Sequence, residues 1–106
     1  MGKIKEKIVS LFKKLCMEFE WDEIKNSKNI EKHSIDFSDV VSVFQHPIIR
    51  KKSTKIDYGE KRWIAIGQLM NFCIVIIYTI RDKKIRLISA RKANKKERKI
   101  YYENIK

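Results

Sequence analysis

The side chains able to do chemistry in this chain are cationic rather than metal-binding. Arg62, Arg81, Arg91 and Lys92 fall at the ends of apolar runs. A guanidinium there suits a phosphoryl group better than an ammonium does, because it offers two parallel donors. His33 is the natural proton carrier, since imidazole titrates near neutral pH. In the last turn of a helix the same residue would merely complement the helix dipole, and both roles stand open. Glu97 and Tyr101 are four residues apart, on one helical face able to close over a sheet. Capping for Glu97 and core packing for Tyr101 compete there with catalysis. Arg81, and to a lesser degree Arg91, competes with a bland role as a solvated turn charge, and His46 beside Pro47 reads as a loop residue.

Such groups suit a phosphodiester, whose cleavage without a metal needs orientation, proton transfer and stabilisation of charge on the phosphoryl oxygens. The carboxylates show no clustering of the kind a two-metal site needs. The two cysteines, Cys16 and Cys73, form no C-x-x-C pair, and Cys73 lies inside an apolar run. No zinc site, disulfide framework or cofactor is expected, and a reducing cytoplasm fits best. Lys32, Lys92, Lys95, Lys96, Arg98 and Lys99 are expected to form a diffuse RNA-binding surface in which no single lysine is essential. Trp21 and Trp63 could stack on bases, although packing in the core is the competing role.

The charge distribution supports a polyanionic partner. Of 106 residues, 25 are Lys or Arg and 13 are Asp or Glu, a formal net charge of +12. The excess sits at the two ends. Residues 1–16 carry five Lys and one Glu, whereas residues 81–106 carry eleven basic and three acidic groups. Such a field supplies the sequence-independent part of nucleic-acid affinity, with an acidic protein or an anionic membrane surface as competitors. The longest apolar stretch, 72–80, is far shorter than the roughly 18 residues of a membrane-spanning helix, and no membrane partner is expected.

These groups need elements to position them. Ile4, Ile8, Leu11, Phe12 and Leu15 predict a basic amphipathic helix over 3–16. Residues 18–22 suit a short strand, and Asp22 caps a helix with a thin apolar face running to about His33. Asp36 opens a second helix, with Ile35 and Val40 as a hydrophobic staple, and Pro47 ends it. From Ile48 the period changes from helix to strand: weakly over 49–56, then clearly over 61–69, 72–80 and 85–92. Asn94 and Glu97 form a capping-box pattern opening a last helix. The order predicts an α+β fold with a mostly antiparallel sheet of four to five strands, two helices in the first half and a C-terminal helix. Strict alternation in the last strand puts Leu87, Ser89 and Arg91 on one face and Arg86, Ile88, Ala90 and Lys92 on the other, so Arg91 rather than Lys92 is favoured for the site.

The blocks Phe19-Glu20-Trp21-Asp22-Glu23, Lys25, Asn26, Asn29 and Lys32-His33, then Phe37 and Val43-Phe44, resemble the opening of BrnT-type ribonuclease toxins of type II toxin–antitoxin systems. Gly59-Glu60, Arg62, Ile66-Gly67, Val75, Tyr78-Thr79, Arg81 and Ser89-Ala90-Arg91-Lys92-Ala93, followed by Glu97-Arg98 and Tyr101, continue it. The resemblance covers about 18–103. It implies a RelE-like fold, RNA cleavage that arrests translation, and neutralisation by a BrnA-like ribbon-helix-helix antitoxin, with operator DNA bound only through the antitoxin complex. Ser34 stands where that family usually has Gly, a departure that bears on a turn favouring positive φ. Residues 1–16 have no counterpart, so the chain divides into a basic extension, 1–16, and a toxin-like domain, 17–106. A translation start at Met17, a strip packed on the domain or a partner, and a membrane-surface helix are three readings of the extension. The competing function is a basic module that binds RNA, DNA or an acidic protein without cutting.

Overall fold

Each helix begins where a short polar side chain takes up the backbone donors that a helix start leaves unpaired. The computed structural model describes residues 18–57 and 59–105; the helix expected over 3–16 lies outside them. The elements are β1 (Glu18–Trp21), α1 (Glu23–His33), α2 (Phe37–Val40) tightening into a 3₁₀ turn (Val41–Gln45), β2 (Ile49–Asp57), β3 (Glu60–Leu69), β4 (Phe72–Arg81), β5 (Lys84–Lys92) and α3 (Lys95–Asn104). Asp22 accepts from the N–H groups of Ile24 at 2.8 Å and Lys25 at 3.2 Å. Asp36 accepts from the N–H of Ser38. Asn94 and Glu97 complete a reciprocal capping box at the start of α3.

The α+β class and the mostly antiparallel sheet agree with the sequence pattern. The five strands lie in the order β1-β5-β4-β3-β2, with β1 parallel to β5 and the other pairs antiparallel. Two-residue loops join β3 to β4 at Met70-Asn71 and β4 to β5 at Asp82-Lys83. Asp82 and Lys83 both take positive φ, 52° and 64°, the pair of values that a type I′ hairpin turn requires.

One sheet face carries the larger core. Phe37, Val40, Val43 and Phe44 cover Ala65, Ile74, Ile76, Tyr78, Leu87 and Ala90, all buried. Burying each large side chain contributes about 1.5–3 kcal/mol. Phe44 meets the Tyr78 ring edge-on at 5.3 Å, and burial pushes the Tyr78 phenol up to about 12 against the pull of the nearby Arg50 guanidinium. The helical layer approaches β3 so closely that a Cβ on Gly67 would lie 2.3 Å from Val43 Cγ1.

α1 has little apolar surface to bury, and its buried residues are Asn26 and Asn29. Asn29 donates to the Ala90 carbonyl at 3.0 Å and accepts from the Ala90 N–H at 3.1 Å, completing the edge of β5 beyond the point where β1 stops. Asn26 accepts from the Phe37 N–H and donates to Asp36, tying α1 to the next helix start.

Strict alternation fails in β5. The register with β4 shifts between Ile77 and Tyr78, which pair with Ser89 and Leu87 and leave Ile88 as the extra residue. This bulge re-aims the strand. Ile85, Leu87 and Ala90 therefore share the core face. Arg86 and Arg91, opposite Thr79 and Val75, share the other, which corrects the expectation that Leu87 and Arg91 lie on one face.

Candidate functional site

The face of the sheet away from α2 is only partly covered. Cys73 and Val75 pack under Ala93 and Tyr101, so α3 roofs one end. Beside it the apolar residues of three strands, Ile49, Ile64, Ile66, Val75 and Ile77, floor an open hollow of about 300 Å³. Ile100 and Glu97 of α3 form its wall, and Lys51 and Arg91 bring the charges to its rim. The volume is at the small end for ligand sites, and the composition, an apolar bed with a few convergent charges, is typical of them.

At the rim, Arg91 and Glu97 meet fork to fork. Arg91 Nη1 lies 2.9 Å from Glu97 Oε1, and Nη2 lies 2.8 Å from Oε2. Glu97 Oε1 also accepts the Asn94 N–H at 2.8 Å, so the carboxylate that caps α3 also holds the arginine. The Arg91 hydrogen bond keeps the Glu97 carboxyl below its ordinary range, outweighing partial burial, and the same contact raises Arg91. Both groups are therefore ionised at neutral pH, and Glu97 fills the arginine fork much as a phosphate would. The Arg91 side chain remains 44% exposed, open to a ligand from the hollow.

Arg62 and Arg81 do not join Arg91. Arg81 is six residues along β4 from Val75, which pairs with Arg91, a separation of roughly 20 Å at strand rise. Arg81 binds Glu60 through Nε at 2.9 Å and through Nη2. That contact holds the Glu60 carboxyl down, with smaller pulls from Arg62 and Arg86. Arg86 meets Glu20 at 3.5 Å, and Lys84 meets Glu18 at 3.7 Å. This end of the face is a lattice of opposite charges in which the cations are largely answered, and each exposed pair is worth little.

The remaining expected residues are dispersed. His33 is half-buried in the last turn of α1 and does not line the hollow. Tyr101 is 2% exposed, and its hydroxyl donates to the Pro47 carbonyl at 2.9 Å, a packing role. Lys92 pairs with Ile74 and places Nζ 5.3 Å from the Phe72 ring, on the opposite face from Arg91. Lys32, Lys95, Lys96 and Lys99 are exposed, as is Arg98, which donates to the Ala93 carbonyl at 3.0 Å. Trp21 packs edge-on against Phe37 with ring centroids 6.1 Å apart. Lys51 and the isoleucine floor were missed in the sequence, although Ile49 with Lys51 and Ile64 with Ile66 carry the period-two signal that places them on one face.

Among the described residues no group of three or more His, Cys, Asp or Glu side chains comes together, and no helix is long and apolar enough to cross a membrane. No curated protein matches the chain. The family described as "Ribonuclease toxin, BrnT, of type II toxin-antitoxin system" matches residues 21–97, a span that runs from β1 through Arg91 and ends on Glu97. The chain belongs to the BrnT family of ribonuclease toxins of type II toxin–antitoxin systems.

Proposed function

We propose that the chain cuts RNA at the hollow beside α3, without a metal, through Arg91 and Glu97. The observation that carries this reading is the bidentate Arg91–Glu97 pair on the rim of an apolar bed. A phosphodiester entering the hollow takes the place of Glu97 in the arginine fork. Removing Arg91 from Glu97 also removes the main cause that holds its carboxyl down, so the carboxylate becomes a better base as substrate arrives. Glu97 then accepts the 2′-hydroxyl proton, the 2′-oxygen bonds to phosphorus, and the bond from phosphorus to the 5′-oxygen breaks. The 5′-oxygen leaves with a proton from solvent. Arg91 stabilises the charge that develops on the phosphoryl oxygens, and the products are a 2′,3′-cyclic phosphate and a 5′-hydroxyl.

Lys95, Lys96, Arg98 and Lys99 on α3, with Lys51 at the hollow, would draw RNA in through counterion release. His33, Arg62, Arg81 and Tyr101 stand outside the hollow and take no part in this step. In the cell the reading has the toxin acting in the cytoplasm, arresting translation, and being neutralised by a BrnA-like ribbon-helix-helix antitoxin that alone contacts operator DNA. Incubation of the purified protein with single-stranded RNA in excess chelator tests the chemistry. New fragments ending in 2′,3′-cyclic phosphate are expected. Salt-sensitive retention of intact RNA with no new ends would overturn it in favour of a binding module.

A further inference from the structure

We infer that Trp63, together with Arg50 and Lys52, forms a stacking site for a nucleobase of single-stranded RNA on the sheet face opposite the hollow. This rests on the reading of the chain as an RNA-cutting enzyme and extends it to a second contact with the same strand.

β2 lies at the edge of the sheet, and its alternation sends successive cations to opposite faces. Lys51 pairs with Ile64 and lines the hollow. Arg50 and Lys52, opposite Ala65 and Trp63, point to the other face. There Arg50 Cζ lies 4.3 Å and Lys52 Nζ 5.5 Å from the centroid of the Trp63 ring. Trp63 packs against the margin of the core and is partly buried, and Lys52 is exposed. One cation over an indole is a common packing device. Two cations gathered over one ring give the indole a positive surround, which draws a polyanion to it.

The chemistry matches a nucleotide in both its parts. Bases stack on an indole or on the plane of a guanidinium, and the phosphate alongside finds the ammonium. The path is also short. Trp63 and Ile64 are consecutive on β3, so the stacking site and the hollow floor are back to back across one sheet, separated only by β2 from its edge among the described residues. A strand of a few nucleotides leaving the hollow past Lys51 turns round this edge and meets Lys52 and Trp63.

The test uses the full chain and a 2′-O-methyl oligouridylate of about eight nucleotides, which cannot be cut and lies within the footprint of a small single-strand-binding domain. With Trp21→Phe leaving Trp63 as the sole tryptophan, titration should quench its fluorescence saturably. Trp63→Leu should weaken binding about tenfold, while Trp63→Phe, which keeps a stacking ring, should retain most of the affinity. Lys52→Glu sits on an exposed position and should weaken binding more than Lys28→Glu, a change of equal charge on α1. Absence of quenching, or equal affinity in Lys52→Glu and Lys28→Glu, would overturn the stacking site even in a protein that cleaves RNA. Quenching in a protein that leaves RNA intact would uphold the site and defeat the cleavage reading instead.

Discussion

The side-chain amide of Asn29 pairs with the backbone of Ala90 in a two-hydrogen-bond ring, at 3.0 and 3.1 Å, in the way a neighbouring strand would. It also donates to the Ile35 carbonyl at 2.9 Å, so one buried amide fixes α1 to both the sheet edge and the turn that follows. Arg91 is the next residue after Ala90, and its direction out of the sheet depends on this anchoring and on the bulge at Ile88.

Asn29→Ala leaves the Ala90 N–H and carbonyl buried without that partner. A buried backbone group so stranded costs about 1–3 kcal/mol. The variant should lose about 2–4 kcal/mol in urea unfolding. A loss under about 1 kcal/mol would mean that water replaces the amide without penalty.

Ser34 closes α1 in the left-handed conformation, at φ 60° and ψ 32°, and its N–H donates to the Ile30 carbonyl at 2.8 Å. That conformation strains a residue with a Cβ and suits glycine. Ser34→Gly should stabilise the protein by about 0.5–1 kcal/mol, the relief of strain exceeding the extra entropy of glycine in the unfolded chain. A lower melting temperature in this variant would contradict the helix end described above.

Gly67 is required by a close approach rather than by its backbone angles. A methyl group there would meet Val43 Cγ1 at 2.3 Å and Ile48 Cγ2 at 3.1 Å. Overpacking of this kind costs about 1–3 kcal/mol. Gly67→Ala should cost that much, and combining it with Val43→Ala, which removes the colliding methyl, should cost less than the sum of the two single changes. Strict additivity in the double-mutant cycle would sink the contact.

Asp36 is held below its ordinary value of 3.8, first by the Ser38 N–H and then by the Asn26 side chain. A carboxylate depressed in the folded state contributes stability that is fully present above its unfolded pKa and is lost as pH falls through the folded one. Asp22, Glu60 and Glu97 are shifted in the same direction. The melting temperature should therefore stay level from neutral pH down to about 5 and fall steeply below about 4. Asp36→Asn, which keeps an N-cap acceptor without the charge, should flatten part of that fall. An unchanged acid slope would contradict the Asp36 assignment.

The element order, the caps at Asp22, Asp36 and Asn94 and the hairpin loops were legible because they depend on local pattern: period, capping chemistry and turn residues. α1 was visible as a helix, but what it packs with was not, since Asn26 and Asn29 are buried through hydrogen bonds that no hydrophobic pattern announces. The candidate site was half legible. Arg91 and Glu97 could be named from their positions, but nothing in the sequence pairs them. The separation of Arg62 and Arg81 from Arg91 could not, because it depends on how far apart the positions fall along β4 and on the Glu60 partner. The expected placing of Arg91 on the face away from Arg86 fails, since one inserted residue at Ile88 inverts every later position of β5 and leaves no mark in the sequence.

The most direct test of the account is the cleavage rate of single-stranded RNA by Arg91→Ala and Arg91→Lys, with folding checked by circular dichroism. Both variants should keep the fold, because the Asn94–Glu97 capping box survives without the arginine. Arg91→Ala should lose about 10²–10³ in kcat, the cost of removing one preorganised charge at the reacting phosphate. Arg91→Lys should recover only a small part of it, since an ammonium cannot bind two phosphoryl oxygens at once. A folded Arg91→Ala protein that cuts RNA at the wild-type rate would contradict the account.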